Sequence, residues 1–223
     1  MARQPNAGAA RRRRRETDAL APRVSRLQRS LAGILPLLEQ SGLPWAVVGG
    51  LAVGARAIAR FTADLDLAIA AATDAEAEGL LGRLREAGYE ISSLLEHGPP
   101  GRIATVRLRP PGETAETLFV DLLIAATGIE VEVALAAEKL TVFPGITAPI
   151  ARIGHLIAMK LLSKDERQRP TDFDDLEALI ARADGSELER ARESVRRISE
   201  RGHARGRDLQ AELEHWIAHR SRS

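Results

Sequence analysis

The chain has 223 residues, 44% hydrophobic and 28% charged, with no cysteine and a formal net charge of +1. That length can bury a sizeable core in one or two domains, and the lack of cysteine excludes a disulfide framework and thiolate chemistry. No apolar run reaches the roughly eighteen residues that a membrane span needs, and no apolar stretch of a secretory signal follows the arginine-rich start, so a cytoplasmic protein is the expectation.

Charge is unevenly placed. Residues 1–15 carry six arginines (Arg3 and Arg11 to Arg15) and no acid, which leaves 26 basic against 31 acidic residues in the remainder. Residues 1–16 have no apolar periodicity, so a disordered basic arm is expected there. Such an arm is either a solvated tail or a contact for nucleic-acid phosphates. From Asp18 to about Gln40, Leu20, Val24, Leu27, Leu31, Ile34, Leu37 and Leu38 recur at helical spacing, and Ser41-Gly42 with Pro44 closes that helix.

Trp45 to Val48 reads as a short buried strand and Leu51 to Ala59 as a helix, with Gly49-Gly50 between them. Ala63 to Ala70 reads as the next strand, in which Asp64 and Asp66 alternate with Leu65, Leu67 and Ile69. Side chains two apart on a strand share a face, so the two carboxylates project together while the apolar residues face the core. Adjacent like charges repel, and a divalent cation bound by hard oxygen donors (Mg²⁺, Mn²⁺ or Ca²⁺) is the usual counter-charge. Glycine at a strand-to-helix turn lets backbone N–H groups approach a phosphate. Alone, each feature is also explained by a tight turn or by solvated surface acids. Their spacing joins them into a metal–nucleotide site.

Asp74 to Ala87 reads as a helix capped by Thr73 with Glu76 three residues on, and Gly88 stops it. Strands are expected at Tyr89 to Leu95, Ile103 to Leu108 and Thr117 to Ala125. Asp121 interrupts the last of these, which is otherwise apolar on both faces and therefore central. A lone buried charge is costly, so Asp121 is neutralised, bound to metal or paired with a core arginine. A helix at Ile129 to Ala137 and extended pieces at Leu140 to Phe143 and Ile146 to Ala148 complete an α/β part, residues 17–150.

Four helices follow, Ala151 to Ser163, Asp172 to Ala183, Leu188 to Glu200 and Arg207 to His219, giving a helical part, residues 151–223. The expected class is α+β, a mixed sheet flanked by helices with a C-terminal helical module. Lys160 falls on the apolar face set by Ile153, Leu156 and Ile157. It is either a counter-charge for a triphosphate or a lysine whose amine snorkels to water. Asp172 and Asp174 are explained by the first turn of their helix, and His155 by packing. No H-E-x-x-H, Walker A, G-x-G-x-x-G or G-x-S-x-G motif is present, which disfavours the usual hydrolase and dinucleotide readings.

The segment VVGGLAVGARAIARFTADLDLAI followed by FVDLLI resembles the nucleotidyltransferase fold shared with DNA polymerase β and kanamycin nucleotidyltransferase. Closer still, the chain is similar to the AbiEii-type toxins of type IV toxin–antitoxin systems over about residues 43–180. The likeness lies in R-x-T-x-D-x-D (Arg60, Thr62, Asp64, Asp66), in the lysine helix LIAMKLLSK, and in R-P-x-D-x-x-D-L (Arg169, Pro170, Asp172, Asp175, Leu176).

That resemblance implies transfer of a nucleoside monophosphate from an NTP to an acceptor hydroxyl, with release of pyrophosphate and with Mg²⁺ (or Mn²⁺) as cofactor. It implies that Gly49, Gly50, Arg60 and Thr62 bind the nucleotide. Asp64, Asp66 and Asp121 would hold the metal ions, Asp121 also serving as base. Lys160 would contact the triphosphate and Asp175 would support the nucleotide or acceptor pocket. The favoured acceptor is an RNA 3′ end such as that of tRNA, with a protein hydroxyl or an aminoglycoside-type small molecule as alternatives and a cognate antitoxin as a partner. A non-catalytic nucleotide- or partner-binding protein of this fold is the competing class, and the presence of all three carboxylates argues against it. The chain is shorter than many AbiEii-type toxins, which leaves the acceptor open.

Overall fold

The computed structural model describes residues 26–58, 62–97, 101–113, 118–163 and 171–220. The basic arm, Arg60, and Arg169-Pro170 lie outside these. The first helix, α1, covers 26–41 and buries Leu27, Leu31, Ile34 and Leu38, the stripe that helical spacing selects. It ends where Ser41 Oγ donates to the Leu38 carbonyl at 2.6 Å and Gly42 takes a φ of +72°.

Strand β1 (Trp45–Val47) leads directly into α2 (Gly49–Arg56), followed by β2 (Leu65–Ile69) and α3 (Asp74–Glu86). Thr73 and Glu76 form the expected capping box at the start of α3. The hairpin of β3 (Glu90–His97) and β4 (Arg102–Arg109) precedes β5 (Val120–Leu123), α4 (Glu130–Leu135) and the hairpin of β6 (Glu138–Phe143) and β7 (Ile146–Ile150). Helices α5 (Ile153–Ser163), α6 (Thr171–Arg182), α7 (Gly185–Glu200) and α8 (Leu209–Arg220) close the chain.

These strands form one mixed sheet in the order β3-β4-β5-β2-β1-β7-β6. Strand β2 lies antiparallel to β1 and parallel to β5, and this parallel pairing sets Asp66 directly opposite Asp121. Along β2, Leu65, Leu67, Ala68 and Ile69 are fully buried, whereas Asp66 is half-buried. The architecture is α+β, a mixed sheet with helices packed on it and four more at the C-terminal end, as expected.

One apolar cluster runs from Leu31 and Ile34 through the strands to Ile157, Leu179, Val195 and Leu213, so the late helices share the core of the sheet. Helix α5 docks closely on α7, because Gly154 has no side chain: a Cβ there would meet the Glu187 carbonyl oxygen at 2.3 Å. Arg56 ties α2 to the same region by donating to the carbonyls of Ile150 and Ala151, both at 3.0 Å, and to Glu138 at 2.7 Å. Among the described residues, no helix is long and apolar enough to cross a membrane.

Candidate active site

The helix after β1 starts at Gly49 itself, two residues before the expected start at Leu51. Gly49 has a φ of +61°, and a Cβ on it would lie 1.8 Å from Asp66 Oδ2. Glycine is needed there for both reasons: a left-handed backbone and a carboxylate seated against it. The Val48 N–H donates to the Asp66 carbonyl at 2.9 Å, which locks the turn to the acidic strand. Val48 supplies no side-chain cap to α2, and the first turn contains no acid. The first-turn amides therefore have no competing carboxylate from their own helix, which suits the start of α2 to an anion.

Three carboxylates gather beside this turn. Asp66 faces Asp121 across β2 and β5. Asp64 sits in a bend just ahead of β2, not within the strand as its alternation suggests, and its Oδ1 accepts the Phe119 N–H at 3.4 Å. Thr62 shapes that bend, its hydroxyl donating to the Asp64 carbonyl at 3.2 Å. Burial pushes the Asp66 carboxyl up from 3.8 to about 6, and the charges of Asp121 and Asp64 push it the same way. Lys160 and Arg107 pull it back down, so both cations stand close enough to be felt.

Asp121 is paired with an arginine, one of the outcomes expected for it, though no motif singles out which. Arg107 lies opposite it on β4 and donates Nε to Oδ1 at 2.8 Å and Nη2 to Oδ2 at 2.6 Å. The Asp121 side chain is 13% exposed, while that of Arg107 is 41% exposed. The guanidinium also lies over the Phe119 ring, 5.0 Å from its centroid, and its pairing with Asp121 raises its own pKa. The one signal in the sequence is alternation: Thr105, Arg107 and Arg109 share the face of β4 opposite buried Val106 and Leu108. What no local pattern supplies is the pairing of β4 with β5.

Lys160 is nearly buried. Its Nζ lies 2.8 Å from Asp172 Oδ1 and 2.9 Å from Asp175 Oδ2, which fixes the amine on α6 and excludes free snorkelling. Asp172, expected to serve only its helix terminus, is 3% exposed and Asp175 1% exposed. The i, i+3 spacing that points both at Lys160 is the signal that finds this pair. Asp174 remains on the surface, as a first-turn acid does. His155 is buried among α5 and α7 and is held down at about 4, chiefly by desolvation and then by Arg190.

Asp64 and Asp66 offer hard oxygen donors side by side, the donor type that suits a small divalent cation. Yet among the described residues no group of three or more His, Cys, Asp or Glu side chains is arranged to hold a metal ion. The third carboxylate, Asp121, has both oxygens engaged by Arg107.

No curated protein matches the chain. Among solved structures, the solution structure of the antibiotic-resistance factor ANT(2'')-Ia is 18% identical, covering 88% of this chain and 99% of its own, with a TM-score of 0.47. An antigenic nucleotidyltransferase-like protein from Paracoccidioides brasiliensis is 18% identical, covering 82% and 89%, with a TM-score of 0.44. MenT4, a nucleotidyltransferase toxin from Mycobacterium tuberculosis, is 13% identical, covering 79% and 84%, with a TM-score of 0.30. These likenesses are distant. The family model described as "Nucleotidyl transferase AbiEii toxin, Type IV TA system" matches residues 37–221, most of the chain. The protein belongs to this AbiEii family and is a nucleotidyltransferase.

Proposed function

We propose that this protein moves a nucleoside monophosphate from an NTP to the 3′ hydroxyl of an RNA such as tRNA, with Mg²⁺ or Mn²⁺, as the toxin of a cytoplasmic toxin–antitoxin pair. The observation that carries this reading is the meeting of Asp66 and Asp121 across parallel strands, with Asp64 beside them and the glycine-started helix α2 at the same edge. A divalent cation bound by Asp64 and Asp66, with Asp121 completing its ligand set, would supply charge neutralisation on the entering and leaving oxygens.

The chain's own groups have the remaining tasks. The amides of Gly49 and Gly50 hold the terminal phosphates at the positive end of α2. Lys160, oriented by Asp172 and Asp175, faces the charge that develops on the leaving pyrophosphate. Asp121, across the sheet from Asp66, accepts the proton of the attacking hydroxyl. Thr62 and, as the resemblance implies, Arg60 bind the nucleotide, and Asp175 backs the pocket through Lys160. Family membership supports the transfer chemistry, and the basic N-terminal arm favours an RNA acceptor.

The test is incubation of purified protein with each α-labelled NTP and Mg²⁺, offering tRNA, lysate protein or an aminoglycoside as acceptor. Label should enter RNA, should disappear with EDTA, and should be abolished in Asp64→Asn while circular dichroism stays unchanged. Label on protein or aminoglycoside alone would redirect the acceptor assignment. No label on any acceptor from a folded protein would sink the enzymatic proposal.

A further inference from the structure

The acidic site contains a charge that its proposed chemistry does not use. Arg107 lies on β4, a strand outside the glycine, D-x-D and lysine motifs, yet its guanidinium takes both oxygens of Asp121. The same guanidinium rests on Phe119, whose backbone N–H holds Asp64. Arg107 thus reaches two of the three carboxylates, one directly and one through Phe119. A cation bound by Asp121 would stand within a few ångströms of that guanidinium, where like charges repel. Arg107 has somewhere to go, since its side chain is 41% exposed and opens toward solvent.

We infer that Arg107 is a built-in counter-cation: it occupies Asp121 in the metal-free protein, and guanidinium and divalent ion compete for that one carboxylate. This rests on reading Asp64, Asp66 and Asp121 as a cation site. It also gives a physical reason why no three-carboxylate group stands ready for a metal among the described residues. Arg107 offsets one of the three carboxylate charges, and a cation completes its ligand set by displacing the arginine.

The experiment is a titration of EDTA-treated protein with Mn²⁺, following free Mn²⁺ by electron paramagnetic resonance, on the wild type, Arg107→Gln, Arg107→Lys and Asp66→Asn. Arg107→Gln should bind Mn²⁺ about tenfold more tightly, a coupling of ordinary size. Arg107→Lys, which keeps the charge, should stay close to the wild type. The Tm of Arg107→Gln in EDTA should fall, and added Mn²⁺ should raise it more than it raises that of the wild type. Binding that Asp66→Asn weakens but that Arg107→Gln leaves unchanged or weaker overturns the role of Arg107 alone. Equal Mn²⁺ binding by Asp66→Asn and wild type overturns the cation-site reading, and the competition falls with it.

Discussion

Gly49 and Asp66 occupy space that a side chain on residue 49 would need: its Cβ would sit 1.8 Å from Asp66 Oδ2, on a backbone with φ of +61°. Gly49→Ala therefore meets strain and a clash together and should cost at least about 2 kcal/mol in urea unfolding. Gly54, on the same helix, has nothing within 4 Å of the position its Cβ would take. Gly54→Ala should stabilise by about 0.5–1 kcal/mol through helix propensity. Equal unfolding midpoints for the two variants would mean that Asp66 does not sit against the turn.

Asp66 should make stability fall as pH rises. Its folded pKa is raised from 3.8 to about 6, so the unfolded chain is the more readily ionised state. The protonated form is favoured by folding, and its contribution is complete below about pH 4 and lost by about pH 6. Without metal, Asp66→Asn should be the more stable protein at pH 7.5 by on the order of 2 kcal/mol, with the difference vanishing near pH 4. Urea unfolding in EDTA at the two pH values measures this, and a constant difference would disprove it.

Lys160 neutralises two buried acids, so its loss reaches beyond phosphate binding. Lys160→Ala leaves Asp172 and Asp175 without their shared cation, and breaking such a buried pair costs about 3–5 kcal/mol. Adding Asp172→Asn and Asp175→Asn to Lys160→Ala should recover part of that loss in a thermal melt. On the proposed role of Lys160 as counter-charge for the triphosphate, NTP use should not return. Additive destabilisation across the three changes would show that the lysine is not their common partner.

His155 acts on the acid side. Its pKa is lowered from 6.5 to about 4 by burial, so folding favours the neutral imidazole. That contribution is complete above about pH 6.5 and is lost as pH falls toward 4. His155→Leu should flatten the acid limb of the stability profile between pH 6.5 and 4, whatever it does at neutral pH. An unchanged acid limb would place the imidazole in contact with water.

The features legible in the sequence are those that violate a local rule. Asp121 stands out because an apolar strand has no use for a charge, and Lys160 because it interrupts a helical apolar face. Their partners are hidden for different reasons. Arg107 meets Asp121 only through the pairing of β4 with β5, which the whole sheet decides. Asp172 is masked by its place in a first turn, where an acid already has an ordinary explanation. Two glycines weaken any helix signal, so the pattern places the start of α2 two residues late, whereas the contact between Gly49 and Asp66 is what sets it.

The parallel pairing of β2 with β5 also governs when the site comes into being. A chain is synthesised from its N-terminus, and contacts between distant segments form only after the costly closure of the intervening loop. Asp64 and Asp66 leave the ribosome long before Asp121, Lys160 and Asp175. Until β5 has paired with β2 the acidic pair lacks its opposing carboxylate, and until α5 has been made it lacks Lys160. The full arrangement is therefore a property of the completed sheet and its late helices, not of the segment that carries Asp64 and Asp66 alone.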